Sequence, residues 1–138
     1  MTYDTNKITK KLISIAVIPA HNESQFISKI VKDTKKYVND VIVVDDGSFD
    51  ETMKIANECG AIVYRNNTRL GKWAALNKGI SLALKRNADI VVTLDGDGQH
   101  IPDEIPNFLH LFSNGTDVVL GVRAFNDKMP TIRKISTT

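Results

Sequence analysis

The chain has 138 residues, of which 42% are hydrophobic and 25% are charged, and its formal net charge is +2. These values are ordinary for one globular domain with a buried core, and the small charge gives no indication of a nucleic-acid partner. The single cysteine, Cys59, excludes an internal disulfide, and the apolar run Leu12–Ile18 is far shorter than the roughly 20 residues that span a bilayer. No signal-peptide pattern precedes that run, so we expect a cytoplasmic location.

Short apolar segments rich in β-branched residues alternate along the chain with helical patterns. The predicted strands are, in chain order, Ile13–Ile18, Val41–Val44, Ala61–Tyr64, Ile90–Leu94 and Val118–Leu120. The predicted helices are Glu23–Val38, a helix capped by Asp50 that runs to Glu58 and stops at Gly60, Lys72–Lys85, and Pro102–Phe112. This alternation predicts an α/β fold with a Rossmann-like, doubly wound and mostly parallel sheet.

Polar residues follow three of the predicted strands at the point where each strand ends. Pro19–Glu23 follows the first strand, Asp45–Ser48 the second and Asp95–His100 the fourth. In open parallel sheets, ligands bind outside the carboxyl ends of the strands, near the point where the strand order reverses. We therefore expect the first and fourth strands to be neighbours, because only that order brings their polar ends together.

Asp95 and Asp97 are separated by Gly96, which is free to bend so that both carboxylates face one ion. Carboxylate oxygens favour Mg²⁺ or Mn²⁺, and Mg²⁺ is typically held by one or two carboxylates together with substrate phosphates. The pair therefore suggests a diphosphate ligand. A plain polar turn is the structural alternative, since Asp and Gly are common turn residues.

Asp45 and Asp46 form a second acidic pair, and adjacent carboxylates repel each other. This repulsion is easier to understand if one of the two carboxylates accepts hydrogen bonds from a ligand's base or ribose. The alternative is a turn in which Ser48 or Asp50 caps a helix. Lys72 lies at a predicted helix start, where the helix dipole disfavours a positive charge unless an anion docks beside it. A solvated surface lysine is the simpler interpretation.

The assembled motifs resemble those of the family 2 glycosyltransferases, which have the GT-A fold, and within them most closely the polyprenyl- or dolichyl-phosphate sugar transferases. The resemblance runs from about Ile13 to Arg123 and is carried by Ile18–Glu23, Val44–Ser48, Arg69–Gly79, Leu94–His100 and Gly121–Arg123. Each motif is weak alone, and the specificity lies in their joint order and their positions at strand ends. Two departures concern nucleotide recognition: His21 stands where Tyr is usual, and Gly96 where Ala is usual.

The resemblance implies a role for each matching position. The residues expected to bind a nucleoside-diphosphate sugar are Pro19, Ala20, His21, Glu23, Val44, Asp46, Gly47, Ser48, Lys72 and Gly96. Those expected to hold Mg²⁺ or Mn²⁺ are Asp95, Asp97 and Gln99, and the expected catalytic set is Asp95, Asp97 and Arg123. The implied reaction is a metal-dependent, inverting sugar transfer, with a polyprenyl phosphate at a membrane surface as a candidate acceptor.

The resemblance also divides the chain. It implies a polar leader over residues 1–11, a nucleotide-sugar-binding domain over residues 12–125 and the start of an acceptor region over residues 126–138. An acceptor half normally follows in this family, so these residues correspond to the donor half and are not expected to transfer sugar alone.

Two other classes are considered. A sugar-phosphate nucleotidyltransferase would need a Gly- and Arg-rich loop after the first strand, where Pro19–Glu23 stands. A phospho-acceptor receiver would need its acid pair after the first strand and a lysine after the fifth. A non-catalytic nucleotide- and metal-binding module of the same fold remains open.

Overall fold

The computed structural model describes residues 11–112, 116–122 and 131–135, and it divides into two compact units after His100. The first unit contains, in order, β1 (Ser14–Ala20), α1 (Ile27–Lys35), β2 (Asp40–Asp45), α2 (Thr52–Glu58), β3 (Ile62–Arg65), α3 (Lys72–Lys85) and β4 (Ile90–Thr93). Each predicted element of this unit is present, and α3 has the predicted bounds.

The four strands form one parallel sheet with the order β3-β2-β1-β4. This order confirms the predicted adjacency of the first and fourth strands. In the register between β1 and β2, Ala20 lies opposite Asp45, so these two strands end at the same level. β4 pairs with the earlier part of β1, where Val17 lies opposite Thr93. The three polar segments consequently converge on one edge of the sheet.

One part of the core lies between the sheet and α3, where Ile15, Val17, Ile42 and Val44 are fully buried. Gly79 allows the close approach of α3, because a Cβ atom added there would lie 2.2 Å from Cγ1 of Val17. Such a distance is well inside van der Waals contact. The absence of a side chain at this one position therefore sets how closely α3, and the loop before it, lie over the central strands.

The first helix begins four residues later than the pattern predicts, at Ile27 instead of Glu23. The reason is that the amides of Asn22, Glu23 and Ser24 donate to side chains of the loop after β2 and of the first residue of α2: Ser48 Oγ at 2.9 Å, Thr52 Oγ1 at 2.9 Å and Asp50 Oδ2 at 3.2 Å. These tertiary hydrogen bonds hold the segment in a non-helical conformation. Ser48 and Asp50, which the sequence offers as caps for α2, thus help to fix the loop after β1.

The second unit contains a 3₁₀ turn at Pro102–Glu104, followed by α4 (Ile105–Phe112), β5 (Val118–Val122) and β6 (Thr131–Ile135). The sequence predicts a fifth strand at Val118–Leu120 in a mostly parallel sheet. β5 is present, and it pairs antiparallel with β6, with Val118 opposite Ile135. β6 has no apolar periodicity that identifies it in the sequence, so the pairing depends on tertiary contacts.

The predicted domain boundary after residue 125 lies outside the described residues. Across the described ranges, no helix is long and apolar enough to cross a membrane.

Candidate functional site

A cleft of about 200 Å³ opens where β1, β2 and β4 end. It is lined by residues from the three strand ends and from the start of α3: Pro19, Ala20, His21, Glu23, Asp46, Arg69, Lys72, Ala75, Asp95, Gly96 and Asp97. The sequence predicts all of these except Arg69 and Ala75. A second cavity of about 360 Å³ shares Pro19, Lys72 and Asp95 with the cleft and extends along α3 to Leu76.

Asp46 organises one wall of the cleft through its side chain, which is 3% exposed. Its Oδ1 accepts hydrogen bonds from Asn66 Nδ2 and from the amide of Leu70, and its Oδ2 accepts one from the amide of Gly71, each at 2.9 Å. Burial alone raises the pKa of Asp46, but these hydrogen bonds outweigh burial and hold the pKa below its ordinary value. Asp46 is therefore a stable anion that fixes the loop before α3.

Asp45, the neighbouring acid, is fully buried and does not line the cleft. Its Oδ1 accepts a hydrogen bond from the amide of Ser48 at 3.0 Å, and its Oδ2 lies 3.5 Å from Nη1 of Arg65. Arg65 also donates to the carbonyl oxygen of Ser48 at 2.8 Å. Asp45 Oδ2 has no well-aligned hydrogen bond among the described residues, so its charge is balanced through space by Arg65. This acid holds the turn after β2 together.

His21 presents its ring to the cleft in one fixed orientation. Its Nδ1 lies 2.8 Å from the carbonyl oxygen of Asp46, and because a carbonyl only accepts, Nδ1 carries the proton. Nε2 then accepts from Asn22 Nδ2 at 3.2 Å. Both ring nitrogens are occupied within the protein, which leaves the flat face of the imidazole for contact with a ligand.

Asp95 and Asp97, in contrast, both line the cleft with partly exposed side chains. Asp95 Oδ1 forms an ion pair with Nζ of Lys72, and its Oδ2 lies 3.7 Å from Nε2 of His100. The amide of Asp95 donates to Nδ1 of His100 at 2.7 Å, so the unprotonated Nδ1 is turned towards the backbone. Asp97 Oδ1 accepts a hydrogen bond from the amide of Gln99 at 2.9 Å, which closes a short turn after the strand.

The cleft carries several acids at close range. Burial raises the pKa of Glu23, and the negative charges of Asp97, Asp50 and Asp95 raise it further. No three His, Cys, Asp or Glu side chains within the described ranges lie close enough together to hold a metal ion by themselves. Two carboxylates that face the same opening nevertheless suit Mg²⁺ or Mn²⁺, because Mg²⁺ is usually held by one or two carboxylates, phosphate oxygens and water. The donor set fits a divalent cation that arrives with a diphosphate.

Some expected ligands are not brought to this cleft. Val44 is fully buried under α3, and Ser48 is 1% exposed with its hydroxyl on the amide of Asn22. Gly47 packs closely against the backbone of Thr68 and Arg69, so it supports the loop that carries Arg69 without lining the cleft itself. The side chain of Gln99 is exposed and outside the cleft lining. Arg123 lies outside the described residues.

Arg69 and Ala75 line the cleft without having been assigned a role from the sequence. Arg69 lies in the motif that precedes α3, next to Leu70, whose amide is held by Asp46. Its position inside a recognised motif is the signal that could have identified it. Ala75 lies one helical turn after Gly71, and its small side chain leaves room at the cleft floor.

Known proteins resemble this chain over most of its length. The profile of glycosyl transferase family 2 matches residues 15–138. An uncharacterised protein of Methanocaldococcus jannaschii is 40% identical over 130 residues, covering 88% of this chain and 56% of the relative. A UDP-N-acetylglucosamine–dolichyl-phosphate N-acetylglucosaminyltransferase of Methanococcus voltae is 33% identical over 148 residues, covering 91% of this chain and 59% of the relative.

A solved structure of similar fold is glucosyl-3-phosphoglycerate synthase from Mycobacterium tuberculosis, in complex with Mn²⁺, UDP and glucosyl-3-phosphoglycerate. It superposes with a TM-score of 0.62 at 31% identity, over 73% of this chain and 39% of that chain. This chain thus spans a little over half of the two relatives and less than half of the solved protein. The family match over nearly the whole sequence and the GT-A architecture lead to one conclusion: this chain belongs to glycosyl transferase family 2.

Proposed function

We propose that the cleft binds a nucleoside-diphosphate sugar together with Mg²⁺ or Mn²⁺, as the donor site of a metal-dependent, inverting glycosyltransferase. The observation that carries the proposal is the convergence of Asp95, Asp97 and Lys72 on one opening at the carboxyl edge of the sheet. Two carboxylates suit a divalent cation, and a lysine beside them suits the phosphates that share that cation.

The nucleotide end of the donor is proposed to lie against β1 and β2. His21 offers a fixed aromatic face, and Asp46 has lone pairs beyond its three internal hydrogen bonds that a ribose or base can use. Arg69 adds a cation at the same wall. The related solved protein is in complex with UDP, which makes a uridine nucleotide the first ligand to test.

The diphosphate end is proposed to lie between Asp95, Asp97 and the start of α3. When bound there, the cation would stabilise the negative charge that develops on the departing nucleoside diphosphate. The positive end of the 14-residue α3 favours an anion at this point. Gln99 and Arg123 stay predictions as further contacts, for the metal and for the diphosphate respectively.

A lipid phosphate is proposed as the acceptor, supported by the dolichyl-phosphate named for the relative from M. voltae. Its phosphate oxygen is already ionised near neutral pH, so attack on the anomeric carbon from the face opposite the nucleotide needs no general base. Such an acceptor requires peripheral association with the cytoplasmic face of a membrane. Sugar transfer also requires a held acceptor, since positioning contributes up to about 7–11 kcal/mol of the barrier reduction.

The donor site can be tested by calorimetric titration of UDP in the presence of Mn²⁺ and, separately, of EDTA. We expect Mn²⁺ to increase the affinity for UDP by about tenfold or more, which corresponds to about 1.4 kcal/mol. Asp97→Ala should remove that increase, because one of the two metal-facing carboxylates is lost. Melting of the ligand-free variant should change little, since Asp97 is a partly exposed surface acid.

Glu58→Ala is the matched control, because it removes an exposed carboxylate at the end of α2, outside the cleft lining. It should retain the full effect of Mn²⁺. A wild-type chain that binds no nucleoside diphosphate with either metal, tested with uridine, guanosine, cytidine and adenosine nucleotides, would contradict the proposed function. An unchanged Mn²⁺ effect in Asp97→Ala would contradict the metal assignment alone.

A further inference from the structure

Lys72 and Asp95 form an ion pair inside the cleft, between Nζ and Oδ1. The carboxylate that the proposed function assigns to a metal ion is thus already neutralised by a residue of the chain. The lysine side chain is 65% exposed and that of the aspartate 28%, so the pair is accessible to solvent and to ligands. Both residues line the cleft and also the adjoining cavity.

The backbone that carries Lys72 is firmly held. Lys72 is the first residue of α3, and the amides of Leu70 and Gly71 before it both donate to Asp46. Movement is therefore confined to the long side chain of the lysine. In this position its charge opposes the positive end of the helix, so it is stabilised only while an anion lies beside it.

Asp95 has no comparable freedom. Its amide is tied to Nδ1 of His100 at 2.7 Å, and it follows Leu94, whose amide donates to the carbonyl oxygen of Val17 at 3.1 Å. The acid thus keeps its place at the end of β4. An exposed lysine with a long side chain faces a carboxylate on a fixed backbone, and a second cation at that carboxylate competes with the lysine for its oxygens.

We propose that Lys72 exchanges partners when the donor binds, pairing with Asp95 in the empty cleft and with the diphosphate once a divalent cation occupies Asp95. This inference rests on the proposed function and adds a coupling to it. Asp95 is neutralised in both states, and Lys72 faces an anion in both states. A bound diphosphate draws Lys72 away from Asp95 and so frees Asp95 for the cation, and a bound cation frees Lys72 for the diphosphate. Nucleotide and divalent cation therefore bind cooperatively, and the coupling is reciprocal.

The exchange has a counter-intuitive consequence for binding without metal. Asp95→Asn removes a proposed metal ligand, yet it frees Lys72 for the diphosphate, so the affinity for UDP in EDTA should rise. Asp97→Asn is the matched control, because it removes the same charge from the same cleft without breaking the ion pair. We expect the gain in Asp95→Asn to exceed that in Asp97→Asn by about two- to fivefold, the range typical of exposed ion pairs.

A second background separates the exchange from simple charge repulsion. In Lys72→Ala chains, Asp95→Asn and Asp97→Asn should change the metal-free affinity for UDP equally, because no lysine remains to be freed. Mn²⁺ alone, followed by electron paramagnetic resonance of the free ion, should bind Lys72→Ala about two- to fivefold more tightly than Lys85→Ala. Lys85 is an exposed lysine at the other end of the same helix, so both variants lose one charge from α3.

The outcomes are distinguishable. A larger gain in Asp95→Asn that disappears without Lys72 supports the exchange. Equal gains in the two asparagine variants of the lysine-containing chain overturn it, as does equal Mn²⁺ affinity in Lys72→Ala and Lys85→Ala. A wild-type chain that binds no nucleoside diphosphate under any condition overturns the proposed function itself. Melting curves of each ligand-free variant verify that the differences arise in a folded chain.

Discussion

The two acidic pairs at the ends of β2 and β4 look alike in sequence and differ in what they do. Asp45 and Asp46 are 0% and 3% exposed, and their oxygens are directed to Ser48, Arg65, Asn66 and the loop before α3. Asp95 and Asp97 remain partly exposed and line the cleft. Asp46 also lines the cleft, but the oxygens of the first pair are engaged mainly within the protein, whereas the second pair is the more exposed to a ligand.

The physical difference lies in the supply of hydrogen-bond donors. β3 and the loop after it deliver amides and the Asn66 side chain to the end of β2, so the charge of Asp46 is satisfied within the protein. At the end of β4 the internal partners of Asp95 are Lys72, whose side chain is largely exposed, and the His100 ring. A carboxylate that is only partly satisfied internally is the one available to a ligand.

The largest expected effect is the loss of stability in Asp46→Ala. This substitution leaves the amides of Leu70 and Gly71 and the Asn66 side chain without their acceptor, which should lower the free energy of unfolding by about 2–4 kcal/mol. Urea unfolding followed by circular dichroism measures the change. Asp97→Ala serves as the control from the other pair and should stay within about 0.5 kcal/mol of the wild type. Equal losses in the two variants would contradict the claim that Asp46 stabilises the fold while Asp97 does not.

The glycines in the two motifs provide a second comparison. Gly47 has a φ of +70°, and a Cβ atom added there would lie 2.9 Å from the backbone of Thr68 and Arg69. At Gly96 the added Cβ would lie 3.2 Å from the carbonyl oxygen of Pro19. We expect Gly47→Ala to destabilise the chain by about 1–3 kcal/mol and Gly96→Ala by less than about 1 kcal/mol.

Thermal melting of both alanine variants tests the difference. Gly96→Ala should also bind UDP within a few-fold of the wild type, because alanine at this site needs only a small adjustment of its neighbours. A loss at position 96 as large as that at position 47 would mean that the turn after β4 is as rigid as the turn after β2.

A smaller effect than at Asp46 or Gly47 is expected at Asp50, an acid between β2 and α2 that does not line the cleft. Burial alone raises its pKa, but hydrogen bonds with Thr52 and Ser24 dominate and lower the pKa from 3.8 to about 2. A depressed pKa gives stability that is present above the unfolded value and is lost as the pH falls towards about 2. Asp50→Ala should therefore cost about 1 kcal/mol near pH 7, and the difference from wild type should shrink between about pH 4 and 2. Denaturant unfolding at several pH values measures it, and a difference independent of pH would contradict the assignment.

Much of the first unit could be predicted from its sequence because its signals are local. The apolar runs identify all four strands, and the pattern from Lys72 to Lys85 gives α3 its observed bounds. The late start of α1 could not be predicted, since it depends on amides of Asn22–Ser24 that bond to side chains about 26–29 residues away. The pairing of β5 with β6 is likewise a long-range contact without a periodic signal.

The sequence by itself determined the order of elements, the parallel sheet and the three polar strand ends, because hydrophobic periodicity and turn residues act over short distances. Only the tertiary structure decided which acids have their oxygens engaged within the protein and which remain partly exposed in the cleft. Asp46 and Asp97 carry the same group in similar turns, but the loop from Asn66 to Gly71 reaches one and not the other. The ion pair of Lys72 with Asp95 joins residues 23 positions apart, and it forms because α3 begins beside the end of β4. Side-chain availability is set by the donors that the fold brings near each group, which no local pattern records.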